Sequence, residues 1–171
     1  MKTVKFDIEL DHHPALIHQN MTNPALLDYI AEHHPAIEKI KILEVNQIDA
    51  VRTMIKLKLI TVTPMPKAFK KLMKSRSDEM TSGMTMIIEV NQESFTSRSE
   101  VIPEMMSDNV KSTSMSTFFQ KGDKWIVHIE ISVAIRALGL GGAIEKHFAE
   151  NSKELTEKQF ALINEFLSRN S

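Results

Sequence analysis

The sequence predicts an α+β fold: a curved antiparallel sheet of about six to seven strands wrapped on a long C-terminal helix, with two short helices after the first strand. Three observations carry that expectation. Apolar and polar residues alternate through several segments separated by turn residues. Two proline-led runs, at Pro14 and Pro24, sit between the first alternating segment and the second. The only long stretch with helical periodicity closes the chain. A lone terminal helix argues against repeated strand–helix units, and so against a parallel nucleotide-binding sheet. An antiparallel sheet with one apolar face needs a cover, which the terminal helix supplies.

Residues 3–10 place Val4, Phe6, Ile8 and Leu10 on one face and Lys5, Asp7 and Glu9 on the other, the pattern of a half-buried strand. Pro14 suits the first turn of a helix over 15–21. Asn23-Pro24 restarts a second helix, which carries Leu26, Leu27 and Ile30 and stops near His34-Pro35. Strands follow at 37–45 and 51–59, joined by a turn at Asn46-Gln47-Ile48-Asp49. The second of these turns Val51, Thr53, Ile55, Leu57 and Leu59 inward against Arg52, Lys56 and Lys58. Residues 63–83 break the rhythm with Pro64, Pro66, a basic run and Gly83. Strands resume over 84–90, turn at 91–93 and return over 95–101; 103–109 is a loop, and 110–119 is another strand before the tight turn Lys121-Gly122-Asp123. The clearest strand, 125–135, sets Trp125, Val127, Ile129, Ile131, Val133 and Ile135 against Ile126, His128, Glu130, Ser132 and Ala134. The last helix carries Leu140, Ile144, Phe148, Leu155, Leu162 and Phe166, widened by Phe160, Ile163 and Leu167. Roughly 30 residues at about 1.5 Å each give about 45 Å, enough to cross a sheet. One domain over 1–171 is expected.

Composition narrows the function classes. Of 171 residues, 42% are hydrophobic and 25% charged, the balance of a globular chain. A net charge of -1 provides no global field for nucleic acid. With no cysteine, disulfide frameworks and thiolate zinc sites are excluded and a reducing cytoplasm is the expected location. The first thirteen residues read as a strand rather than a leader, and no run approaches the roughly 18 apolar residues of a membrane span. Eleven methionines fit a pocket for a pliable ligand, although ordinary core filling explains them as well.

Two clusters invite sharper chemistry and do not sustain it. In RALGLGGAIEKHF, Gly139, Gly141 and Gly142 follow the last strand, with no strand after them, so the dinucleotide fingerprint is absent. A mechanical role fits better, letting a helix fold back close over its own sheet. Five of the seven histidines, His12, His13, His18, His33 and His34, fall within 23 positions, yet His13 and His18 are five apart and His33 and His34 adjacent. Neither spacing is the i, i+4 pair of a helical zinc site, so no metal and no cofactor is expected. His128 and Glu130 share the outer face of their strand.

The segments HHPALIHQNMTNPALLDYI, VHIEISVAIRALGLGGAIEKHF and FALINEFL, together with the element order, resemble the helix-grip fold of the START-like, or SRPBCC, superfamily, and within it a bacterial branch related to polyketide cyclase and lipid-transfer domains. The resemblance spans essentially the whole chain. It implies a cavity between sheet and helix that takes a hydrophobic molecule: a lipid, an isoprenoid or a polyketide-like compound. By alternation, the sheet's inner face offers Ile55, Leu57, Met84, Met86, Ile88, Met115, Phe119, Ile129, Ile131 and Val133 to such a cavity, and the helix offers Ile144, Phe148, Asn151 and Leu155. Asn151 falls on the apolar stripe, where a polar group must find a partner. His147 beside Phe148 reaches toward the rim. The run KAFKKLMKSR combines five basic residues with Phe69, Leu72 and Met73; as a helix, it would lay Lys70 and Lys71 on an anionic membrane surface. Three function classes remain: a carrier or sensor of an apolar ligand, a cyclase- or hydrolase-like enzyme using His147, Asn151 or Tyr29, and a partner-binding module.

Overall fold

A computed structural model describes residues 1–72, 74–105, 107–136 and 141–170, without the side chains at 68, 69, 72 and 141. The chain order is β1 (Lys2–Leu10), α1 (Pro14–Asn20), α2 (Pro24–His33), β2 (Ile37–Gln47), β3 (Arg52–Pro64), α3 (Lys67–Leu72), β4 (Glu79–Asn91), β5 (Thr96–Pro103), β6 (Val110–Lys121), β7 (Lys124–Ile135) and α4 (Gly141–Arg169). Among the described residues the seven strands form one antiparallel sheet in the order β1-β7-β6-β5-β4-β3-β2. The α+β class and the two short helices after β1 are as the sequence predicts.

Local chemistry fixes the two short helices. His13 Nδ1 accepts the Ala15 N–H (3.1 Å) ahead of Pro14, and Asn23 Oδ1 accepts the Ala25 N–H (3.0 Å) ahead of Pro24. Each helix therefore starts with a side-chain cap and a proline whose missing donor costs nothing there. The β2–β3 hairpin turns two residues later than expected, at 48–51. There Asp49 Oδ1 accepts the N–H groups of Val51 (3.0 Å) and Arg52 (2.9 Å). Strand β4 begins five residues earlier than expected, because β3 runs on to Pro64 and pairs Thr61 with Ser82 and Thr63 with Met80. Polar residues thus lie within a ladder that hydrophobic alternation alone does not reveal. The β6–β7 hairpin closes on Gly122, whose φ of 65° is costly for any residue with a Cβ.

Helix α4 packs across β1 and β7 and against α2. It buries Ile144, Ala149, Ile163, Phe166 and Leu167 beneath it, with Phe6, Ile129 and Ile131 from the strands. A second apolar cluster, Leu27, Ile55, Leu57, Leu59, Ile88 and Val90, lies on β3 and β4 under α2. The start of α4 is held by a carboxylate. Glu145 accepts the Ile135 N–H at 2.9 Å and pairs with the Met1 amino group at 2.9 Å; these partners hold its pKa below the ordinary glutamate value. A Cβ at Gly142 would meet nothing within 4 Å, so close approach to the sheet does not require glycine there. Gly139 and Leu140 lie outside the described residues. No described helix is long and apolar enough to cross a membrane.

Candidate ligand-binding groove

The sheet's register decides which side chains face α4. On β7 the odd-numbered residues from Val127 to Ile135 are buried, and pairing carries that face across the sheet. One row reads Phe6, Ile129, Ser116, Ser97, Val90, Thr53; the next reads Val4, Ile131, Ser114, Ser99, Ile88, Ile55; a third passes Val133, Ser112, Val101, Met86, Leu57. The inner face therefore has three zones: an apolar zone on β1 and β7 under α4, a hydroxyl track on β5 and β6, and a second apolar zone on β3 and β4. Ser99 and Ser114 bond to each other across the track (2.7 Å). The hydroxyls of Ser97, Ser112 and Ser116 have no side-chain bond among the described residues.

Side chains at the middle of a covered sheet should be its most buried. Here the inward residues of the central strands, Val101, Ser97, Ser99, Ser112, Ser114 and Ser116, are only half-buried, as are Met84 and Met86. This part of the inner face, beside α4, is therefore only partly covered. Lys153 Nζ sits 5.6 Å from the centre of the Phe6 ring, which marks the β1 side of α4. At about 100° per residue, Asn151 and Leu155 lie on the flank of the helix opposite Lys153. Both are half-buried, as is Phe148.

The residues expected to line a cavity separate accordingly. Ile55, Leu57 and Ile88 face inward and are buried in the β3–β4 cluster, with Met84 and Met86 packed against it. Ile129, Ile131, Val133 and Ile144 face inward too, but they form the packing beneath α4. Met115 and Phe119 do not face inward. They stand opposite Glu130 and Ile126, on the outer face, 44% and 39% exposed. The hairpin sets Lys121 opposite Lys124, so Phe118 meets Val127 and takes the inner position. His147 is exposed, its ring 5.9 Å from that of Phe148. Lys70 pairs with Asp78, Lys71 is exposed, and Met73 and the side chains of Phe69 and Leu72 lie outside the described residues. Tyr29 packs on Phe166 (5.5 Å) and under Arg169, at the contact of α2 with α4.

The histidines do structural work. His34 Nδ1 accepts the Ala36 N–H (3.1 Å) and Nε2 donates to the Leu155 carbonyl (2.9 Å), tying α2 to the middle of α4. His128, raised in pKa chiefly by its bond to Asp7 (2.6 Å), belongs to an outer-face ladder of alternating charge with Lys5 and Glu130. Among the described residues no group of three or more His, Asp or Glu side chains could hold a metal. His18 differs. It is 6% exposed, its ring lies edge-on to Phe118 at 5.0 Å, and neither ring nitrogen has a hydrogen-bond partner. Burial pushes its pKa down to about 4. An unsatisfied buried polar group of this kind costs about 1–3 kcal/mol.

Two depressions open among the described residues. One, of about 190 Å3, lies under α1 between His18 and Thr53, Ile55 and Val90. The other, of about 570 Å3, surrounds the β5–β6 connection and is lined by charged groups that include Glu100, Asp108, Lys111 and Arg136.

No family model and no curated protein matches the chain. Solved structures do. TTHA0849 from Thermus thermophilus superposes with a TM-score of 0.67 at 13% identity over 99% of each chain. Ara h 8.0201 gives 0.65 at 12% identity over 98% of each. The Zhui aromatase/cyclase from Streptomyces sp. R1128 gives 0.59 at 13% identity, over 96% of this chain and 89% of that one. Likeness at such identities is one of architecture alone: a curled antiparallel sheet gripping its last helix, the helix-grip fold.

Proposed function

We propose that the protein binds and carries an elongated apolar molecule bearing hydroxyl or carbonyl groups along one edge, in the groove between α4 and the inner faces of β3–β6. The observation that carries this reading is the half-burial of inward side chains at the centre of the sheet, where Met84, Met86 and Val101 meet the track of Ser97, Ser99, Ser112, Ser114 and Ser116. Apolar walls drive burial, and a few polar groups orient the guest. Asn151 on the helix wall adds an amide that both donates and accepts. Lipid, isoprenoid and polyketide-like compounds share this chemistry. A solved neighbour of the same fold is an aromatase/cyclase, which keeps ligands of that last class in view.

Carriage is favoured over catalysis by the residues at hand. His147 is exposed and Tyr29 is committed to the α2–α4 contact, so neither meets Asn151 as an acid–base pair. Native mass spectrometry after gentle purification tests the reading. A co-purifying apolar compound, displaced by 1-anilinonaphthalene-8-sulfonate, is expected. A protein that leaves purification empty and does not take up the dye contradicts it. The exposed Lys67, Lys71, Lys74 and Arg76 on and after α3 supply a cationic surface for transient contact with anionic lipid during exchange. Co-sedimentation with phosphatidylserine vesicles should weaken in a Lys70→Glu/Lys71→Glu variant; unchanged binding removes the membrane step.

A further inference from the structure

We infer that the free edge of β2 is a docking surface for a second copy of this chain, the two β2 strands pairing antiparallel about a two-fold axis between Ile42 and Leu43. The inference goes beyond the carrier reading and does not depend on what the groove holds. It starts from the topology. Strand β2 ends the sheet, so among the described residues it pairs with β3 alone. Over 11 residues its second edge offers backbone N–H and C=O groups to another strand. Exposed apolar side chains gather there: Leu43 and Val45 are 45% and 47% exposed, and Ile48 in the following turn is 45% exposed. Lys41 adds an unmet charge. It stands opposite Lys58 of β3 and has no ion pair among the described residues, while Lys58 is engaged by Glu104.

The strand's own pattern selects the partner. Pairing with β3 puts Ile40, Ile42 and Val45 opposite Leu59, Leu57 and Ile55 on the inner face, and Lys41 and Glu44 opposite Lys58 and Lys56 on the outer face. The change of phase between Ile42 and Glu44 is a bulge at Leu43. In a two-fold antiparallel pair centred between Ile42 and Leu43, Ile40 meets Val45 of the second copy, and Lys41 meets Glu44 of the second copy. In a regular strand, residues three or five apart lie on opposite faces, so neither match is open to it. The bulge brings inner against inner and outer against outer. A bulge ordinarily discourages an added strand; this one sets the register of self-pairing. Each match is made twice, once on either side of the axis. Two Lys41–Glu44 pairs therefore form on the outer face and two Ile40–Val45 contacts on the inner face. A two-fold centred on Lys41 would instead oppose Lys41 to Lys41 and Glu38 to Glu44. Unlike charges and β-branched residues set opposite one another favour a strand pair, and like charges oppose it. A second copy supplies this order of charge without further assumption.

The test measures association of the full chain by sedimentation equilibrium up to about 1 mM, because one strand pair makes a small, weak interface. A monomer–dimer equilibrium is expected. Lys41→Glu and Glu44→Lys each turn two attractive contacts into two repulsive ones, and each should weaken dimerisation about tenfold. Both positions are exposed, so circular dichroism should show an unchanged fold. The double variant Lys41→Glu/Glu44→Lys restores both pairs with their signs exchanged. A one-to-one mixture of the two single variants restores them in the mixed dimer. Both combinations should recover the association that the single reversals lose. A chain that stays monomeric, a dimer indifferent to either reversal, or reversals that either combination fails to rescue each overturn the inference. The carrier reading is scored apart, since dye uptake should be the same in every variant.

Discussion

Two residue types fix the chemistry of the inner face, and only one was legible in the sequence. Apolar positions such as Ile55, Leu57 and Ile88 stand out by alternation. The serines of β5 and β6 do not, because a small polar residue reads as surface until a register turns it inward. Ser99 and Ser114 show what such a pair contributes. Replacing either by alanine should cost about 1 kcal/mol, and the double-mutant cycle should reveal coupling, measured by urea unfolding. The same variants should lower affinity for an oxygen-bearing ligand more than for a hydrocarbon of equal length, if the track orients the guest. His18 makes a separate prediction. Its pKa is about 4 in the folded protein against 6.5 unfolded, so the unfolded chain takes up the proton first as pH falls. Its contribution is complete above pH 6.5 and is lost progressively toward pH 4, to at most about 3 kcal/mol. Unfolding curves at pH 7, 5.5 and 4 should show this loss, and His18→Phe should remove that component while the titration of the carboxylates persists.

At the scale of elements, turns and registers made most of the fold readable, and one strand shows the limit. The order of strands and helices follows from alternation, from the caps at His13 and Asn23, and from the helical period of α4. Strand β6 has two possible phases, because Met115 and Phe119 invite one and Phe118 the other. Hydrophobicity favours the first. The tight turn at Gly122 imposes the second, since it sets Lys121 opposite Lys124 and thereby Phe118 opposite Val127, whose face is already certain. The deciding signal was therefore in the sequence, but in the turn and not in the strand. Substitution scores the phase directly. Met115→Lys and Phe119→Lys should each change stability by less than about 0.5 kcal/mol, as exposed positions do. Phe118→Ala, 6% exposed and packed on His18, should cost about 3–5 kcal/mol. Three losses of similar size would mean that β6 is buried on both faces. A related lesson holds at α4, whose first turn is fastened by Glu145 to the Ile135 N–H and not by a glycine close approach at Gly142. A carboxylate within a run of lysine, alanine and glycine carries no sequence signature of such a role.

For the whole molecule, the two apolar clusters set how stability and binding are linked. The cluster under α4 joins both ends of the chain, β1 with β7 and α4, and is closed by tightly packed side chains. The cluster on β3 and β4 rests on Leu27 of α2 and borders inner-face residues of β4–β6 that are only half-buried. Regions with fewer buried apolar contacts open at lower free energy, so the two halves should not exchange amide hydrogens alike. In the ligand-free protein the amides of β1 and β7 should be protected longest, and those of β4 and β5 should exchange through smaller, local openings. A guest bound in the groove acts on that difference, because it binds the folded state only. At a free concentration a hundred times its dissociation constant it should add about 2.7 kcal/mol of stability. For a chain of this length that is a rise in melting temperature of roughly 5–10 °C. The added protection should concentrate on β3–β6 and the Asn151 flank of α4, and the already closed β1–β7 side should change little. Protection that rises evenly over the sheet would place the guest elsewhere or tie it to global unfolding alone. Protection confined to α1, the start of β3 and the end of β4 would locate it in the depression beside His18 instead.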